Sequence, residues 1–209
     1  MAYNTNRIEG SQLSEDQRRY IFETQTVSGE GLSVDDITET TNHFRAFDAM
    51  IDGYQDRITS DTLKEYHPLL KSGTSDAAKP WLAVGDWKTV ANEVGGSATS
   101  DPKAVDNDIT ELLAVTPERT TFEDICNFHH RFESIHPFQD GNGRVGRLVM
   151  FQQCMQNDVL PFIVLDEQKA FYYRGLQQYD NEPDFLRETF RSFQDAYLAR
   201  YAKFVPNNF

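Results

Sequence analysis

His136-Pro137-Phe138-Gln139-Asp140-Gly141-Asn142-Gly143-Arg144-Val145-Gly146-Arg147 packs a base, a carboxylate, a glycine-rich turn and two arginines into one short run. Upstream, Phe122, Ile125, His129, Phe132 and Ile135 recur at helical spacing, and downstream Leu148, Phe151, Gln152 and Met155 do the same. The run therefore reads as a loop between two helices, with Gly141-Asn142-Gly143 opening the second. A helix start leaves backbone N–H groups unpaired at the positive end of the helix dipole, which makes an anion site. Arg144 and Arg147 share a face of its first turn, and each guanidinium can grip two oxygens, which suits a di- or triphosphate. Asp140 is a hard oxygen ligand for magnesium on such phosphates, and His136 a base for neutral pH. Together these residues imply chemistry on a nucleotide.

Two other readings compete. Gly141, Gly143 and Gly146 satisfy G-x-G-x-x-G, and Asp166 follows after the apolar run 159–165. That dinucleotide pattern has meaning only directly after a strand. Here the preceding residues, 128–135, are helical in period and carry His129, His130, Arg131 and Glu133, where a buried parallel strand is almost wholly apolar. A Walker-type loop fails because no Gly-Lys-Ser/Thr follows the glycines. The plainest alternative, a glycine-rich interhelix turn with two solvated arginines, explains each residue alone but not the cluster.

The run resembles the signature of the Fic family, H-x-F-x-[DE]-G-N-G-R-x-x-R, at every specified position: His136, Phe138, Asp140, Gly141, Asn142, Gly143, Arg144 and Arg147. The resemblance implies an all-α fold, a Fic/Fido-type helical domain with one small β-hairpin flap. It implies a protein adenylyltransferase that moves AMP from ATP to a Tyr, Thr or Ser hydroxyl of a protein and releases pyrophosphate. His136 would deprotonate the hydroxyl and Asp140 would hold Mg2+. Gly141, Asn142 and Gly143 would cradle ATP, with Arg144 and Arg147 on its outer phosphates and Phe138 buried to anchor the loop. Gly143 stands where a kinase-like branch of the superfamily carries lysine, and argues against that branch.

A second stretch, Thr5-Asn6-Arg7-Ile8-Glu9-Gly10, is similar to the inhibitory motif [ST]-x-x-x-E-[GN] of autoregulated Fic proteins. Alone, it reads as a polar tail. Beside the full signature, Glu9 is the carboxylate that would neutralise Arg147, take the place of the terminal phosphate and leave ATP misaligned for in-line attack. Ile8 would anchor the segment. The expected division is 1–28, an inhibitory segment with a helix, and 29–209, the catalytic domain, packed as one unit.

Elsewhere, Ser14 with Gln17, Ser33 with Asp36, and Thr121 read as helix starts. Pro68 should bend a helix over 61–71, and Asp101-Pro102 should open one running to Leu113. The alternating stretch 86–96, with its glycine pair, reads as an irregular hairpin. By the resemblance it is the flap that would clamp a target strand by main-chain pairing, with Trp87, Lys88, Val90 and Asn92 as its contacts. By the same resemblance, one or two of Tyr172, Tyr173 and Asn181 would reach the adenine, among aromatics that otherwise read as core. His43 reads as a core histidine and His67 is given no role.

The chain has 209 residues and a net charge of −13, which argues against nucleic acid and anionic membrane as partners. No apolar run approaches the roughly 20 residues of a membrane span, and residues 1–7 lack the apolar core of a signal peptide. Cys126 and Cys154 read as small buried hydrophobes, and a reducing cytoplasm is expected. The expected partners are an unknown target protein, the chain itself among the candidates, and by resemblance a homodimer. Two readings keep the same site but change its use: a hydrolase that removes AMP with Glu9 orienting a water, and a nucleotide-binding regulator without turnover. Transfer of a different phosphoryl-containing group is a third.

Overall fold

The computed structural model describes residues 1–202. Its helices are α1 (Ala2–Ile8), α2 (Glu15–Thr24), α3 (Val34–Asp52), α4 (Ser60–Lys71), α5 (Val105–Val115), α6 (Phe122–Ile135), α7 (Asn142–Gln156), α8 (Lys169–Gln178) and α9 (Asp184–Tyr201). Strands β1 (Glu93–Val94) and β2 (Ser97–Ala98) form one antiparallel hairpin. The fold is all-α, as expected. Among the described residues no helix is long and apolar enough to cross a membrane.

Helix starts follow local chemistry. Ser14 Oγ accepts from Gln17 N–H while the Gln17 side chain accepts from Ser14 N–H, and Thr121 and Asp124 make the same reciprocal box. Ser33 Oγ caps α3 at Asp36 N–H. The helix expected from Asp101-Pro102 starts later. Asp101 Oδ1 accepts from Lys103 N–H and its carbonyl from Ala104 N–H, so 101–104 is a turn and α5 opens at Val105. Helix α4 runs through Pro68 to Lys71, close to the span expected for it. The hairpin lies further along than the 86–96 reading placed it. The Gly95-Gly96 pair is the turn itself, with both φ positive, at 57° and 79°, and the second strand follows it.

Helix α7 is the centre of the fold. Asn142 and every residue from Arg144 to Cys154 are buried, so it is enclosed on all sides rather than along one stripe. One core layer joins α3, α4, α5 and α6 to α7 through Ala46, Met50, Leu63, Leu112, Phe132 and Leu148. A second joins α6 and α7 to α8 and α9 through Ile125, Cys126, Cys154, Tyr172 and Phe190. Each Leu, Ile, Met or Phe among them contributes about 1.5–3 kcal/mol on burial. Both cysteines are free and buried. Gly175 brings α8 against α9: a Cβ there would stand 2.8 Å from Leu186 Cα.

The N-terminal segment is a helix, not a tail. Helix α1 packs on α3 and α7, with Ile8 buried. Arg18, itself buried, donates to Tyr3 O at 3.0 Å and to Ser11 Oγ at 3.0 Å, and so ties α1 to α2. Gly10, at φ 99°, makes the turn between them.

Candidate active site

The site lies between the end of α6 and the start of α7. His136 caps α6 in the left-handed region, φ 51° and ψ 61°, its N–H donating to Phe132 O at 2.9 Å. That conformation is uncommon for a residue with a side chain, and the following proline stops the helix. Nδ1 lies 3.3 Å from Glu133 O. A carbonyl can only accept, so the proton sits on Nδ1 and Nε2 keeps a lone pair. Burial, with the charge of Lys88, holds the imidazole below its ordinary pKa, hence neutral and able to accept a proton.

The loop is closed from within. The Asn142 side chain takes Phe138 N–H at 2.7 Å and returns a bond to Phe138 O at 2.8 Å. Phe138 is fully buried, stacked on His67 with centroids 4.2 Å apart, and packed against Trp87. His67, given no role by sequence, is a strut. Its Nε2 lies 3.1 Å from Asp140 O and its Nδ1 accepts from Gly85 N–H at 2.9 Å. Burial lowers its pKa to about 4, which fits this neutral tautomer. Gly141, at φ 81°, turns the chain into α7, leaving the first N–H groups of the helix open.

A carboxylate fills this opening. A Cβ on Gly143 would stand 2.6 Å from Glu9 Oε1 and 2.8 Å from Arg147 Nη1, so Glu9 and Arg147 meet over bare backbone. Glu9 Oε1 is paired with Arg147 Nη2. Arg147 is 2% exposed. Burial opposes its charge, and the Glu9 carboxylate more than offsets this and holds it protonated. Thr5 is buried beneath, and its carbonyl accepts Glu9 N–H at 3.3 Å. Behind Arg147 lies Glu133, also buried, whose Oε1 has no hydrogen-bond partner among the described residues. Burial raises its pKa to about 7, with Arg147 pulling the other way.

Arg144 and Asp140 belong to a second charge cluster. Lys71 Nζ donates to Asp140 Oδ2 at 2.6 Å and to Glu39 Oε1 at 3.0 Å. Arg144 Nη1 lies 2.6 Å from Glu39 Oε1, an ion pair off the line of a good hydrogen bond, and Nη2 lies 3.3 Å from Asp140 Oδ2. Burial alone would raise the Asp140 pKa, but Arg144 and Lys71 lower it, so the carboxylate is ionised. Both cations engage Oδ2, and Oδ1 takes neither. One hard, ionised, partly exposed oxygen fits magnesium, which binds through one or two carboxylates plus substrate phosphates. Among the described residues no three His, Cys, Asp or Glu side chains form a metal cage. Sequence reading missed Lys71 and Glu39, because nothing local links them to a loop 69 residues away from Lys71.

The hairpin side is more inward-facing than its sequence implied. Trp87 is buried and donates from Nε1 to Asp106 at 3.0 Å, and Lys88 is 2% exposed, so neither presents a surface to a target strand. Val90 is exposed, its N–H on Gln139 Oε1 at 3.2 Å, and Asn92 donates to Phe138 O at 3.1 Å. Among the adenine candidates, Tyr172 is buried with its hydroxyl 2.8 Å from His129 Nε2 and offers no face to a ligand. Tyr173 and Asn181 are open to solvent. A cavity of about 560 Å3 opens at the opposite end of α7, beside Tyr54, Phe128, Gln153 and Asn157, and includes no signature residue.

Residues 57–154 match the Fic/DOC family, a span that takes in α4 to most of α7 but not Glu9. The Caenorhabditis elegans protein adenylyltransferase fic-1 is 27% identical over 183 residues, 83% of this chain and 35% of that protein. The Nematostella vectensis protein adenylyltransferase Fic is 28% identical over 210 residues, 94% of this chain and 48% of that protein. The chain thus spans less than half the length of these curated relatives. The solved C. elegans Fic-1 superposes with a TM-score of 0.81 at 24% identity, covering 97% of this chain and 61% of that one. A Fic family protein from Desulfovibrio desulfuricans G20 gives 0.79 at 25% identity, covering 97% and 63%.

Proposed function

Because this chain belongs to the Fic/DOC family, we propose that it is a protein adenylyltransferase, moving AMP from ATP to a Tyr, Thr or Ser hydroxyl and held inactive by Glu9. The observation that carries this reading is the Glu9 carboxylate seated at the start of α7, against Gly143 and Arg147. A negative group already occupies the place built for one. In the reaction, the target hydroxyl oxygen attacks the α-phosphorus of ATP. His136 Nε2 takes the hydroxyl proton, the bond from the α-phosphorus to its bridging oxygen breaks, and pyrophosphate leaves. Asp140 would hold magnesium, which supplies charge neutralisation for the phosphates. Arg147, once free of Glu9, and the first N–H groups of α7 bind the terminal phosphates and align the α-phosphorus.

The hydrolytic reading needs Glu9 free to orient a water. Its carboxylate is committed to Arg147, which favours transfer with inhibition over hydrolysis. The test compares the protein and its Glu9→Gly variant with magnesium and ATP labelled at either the α- or the γ-phosphate. We expect α-label on protein, far more in the variant, and no γ-label. Label from the γ-position would replace AMP transfer by phosphoryl transfer, and equal α-label in both proteins would remove the inhibition.

A further inference from the structure

Lys88 is a buried ammonium with no carboxylate against it among the described residues. Nζ donates to Asn92 Oδ1 at 2.8 Å, Thr99 Oγ1 at 2.6 Å and Ile135 O at 3.1 Å, which uses all three of its protons. Its backbone N–H donates to Pro137 O at 2.8 Å. One residue therefore holds the carbonyls on both sides of His136. The next carbonyl, that of Phe138, is taken by Asn92, which Lys88 itself orients.

His136 needs such a hold. It is a non-glycine residue in the left-handed region, where the surrounding structure must fix the backbone for the conformation to persist. Its own side chain makes one long bond, to Glu133 O. What fixes the direction of Nε2 is the peptide units before and after it. Those units are gripped by the residue that also anchors the base of the β1–β2 hairpin through Asn92 and Thr99. Burial lowers the Lys88 pKa to about 8, with Asp101 and Asp108 opposing, so it remains largely charged at neutral pH.

We propose that Lys88 is the positioning residue of His136: it clamps the backbone on either side of the imidazole and ties the hairpin to it, so that a strand lying on the hairpin is in register with Nε2. This rests on His136 being the base of the transfer. The charged groups whose fields reach His136 are Lys88, Glu9 and Asp140, and of these Lys88 disfavours the imidazolium.

The test uses Lys88→Met, close in length and apolar, and Thr99→Val, which loosens the same hairpin but leaves Lys88 on Ile135 O. Both are made in the Glu9→Gly background. Transfer kinetics are measured together with the NMR titration of the His136 ring, one of five histidines, assigned by its loss in His136→Ala. We expect Lys88→Met to lower kcat by about tenfold or more with KM for ATP little changed, since a small misplacement of a catalytic group is costly. The His136 midpoint should rise in that variant, because a neighbouring positive charge is gone. Lys88→Arg should restore part of both, and Thr99→Val should leave the midpoint in place and lower kcat far less than Lys88→Met. Equal loss in Lys88→Met and Thr99→Val would reduce Lys88 to a hairpin tether and overturn the proposal, as would Lys88→Met with kcat and midpoint intact. If the Glu9→Gly parent transfers nothing, the functional reading fails and the titration alone decides. A midpoint that moves in Lys88→Met but not in Thr99→Val upholds the clamp, and one that stays put overturns it.

Discussion

Replacing Glu9 by alanine should destabilise the protein and make it more responsive to ATP. Alanine keeps the backbone entropy of glycine out of the comparison. Arg147 is 2% exposed, and among the described residues Glu9 is the only carboxylate within ion-pair distance of it. Removing one partner of a buried pair leaves an uncompensated charge and costs about 3–5 kcal/mol. Glu133, nearby and protonated until about pH 7, can ionise and recover part of this. A net loss of about 3 kcal/mol is expected, and in a domain of this size it lowers Tm by about 6–12 °C. On the proposed function, the vacated place should accept phosphate. ATP at a hundred times its Kd returns about 2.7 kcal/mol to the variant, but less to the parent, where Glu9 must first be displaced. Thermal melts at pH 7, with and without ATP, measure both effects. Equal melting temperatures without ligand, or equal ATP stabilisation of the two proteins, would refute the claim that Glu9 neutralises Arg147 in the phosphate site.

Other perturbations test the packing and charge around that pair. Glu133 is raised from 4.5 to about 7, so the folded state holds its proton more tightly. Its burial costs nothing below pH 4.5, where both states are protonated, and the cost grows as pH rises to 7, reaching about 3 kcal/mol above it. Glu133→Gln should therefore stabilise at pH 8 and be neutral at pH 4 in urea denaturation, and a difference independent of pH would rule this out. Gly175→Ala places a Cβ 2.8 Å from the Leu186 backbone and should cost about 1–3 kcal/mol, read as a lower urea midpoint with an unchanged slope. Phe138→Ala removes a fully buried ring between His67 and Trp87 and should cost about 3–5 kcal/mol by the same measurement.

The parts of this molecule legible in its sequence are those fixed by near neighbours. The run 136–147 declares its loop because a proline, two glycines and the Asn142 side chain act within a few residues of one another. Ser14, Ser33 and Thr121 cap their helices as their spacing to Gln17, Asp36 and Asp124 requires. Helix α1 was not legible as a helix. Seven residues without a side-chain cap are too few to be helical by themselves, and packing on α3 and α7 supplies the stability. Asp101-Pro102 misled because an Asp side chain can bond its own turn as well as cap a helix. The second charge cluster and the Lys88 clamp rest on the pairs Lys71–Glu39, Lys71–Asp140 and Lys88–Ile135, which are 32, 69 and 47 positions apart, and only the folded chain brings them together. Tyr172 is an adenine candidate only through the family resemblance, while its spacing reads as core, and the fold buries it with its hydroxyl on His129.

The central claim is that His136 is the base of an AMP transfer released by loss of Glu9. Its most direct test compares Glu9→Gly with Glu9→Gly/His136→Ala, measuring α-phosphate label transferred to protein alongside ATP affinity by calorimetry. The account predicts that the double variant binds ATP as tightly as the single one and transfers no label above background. Label appearing at the same rate in both would contradict it.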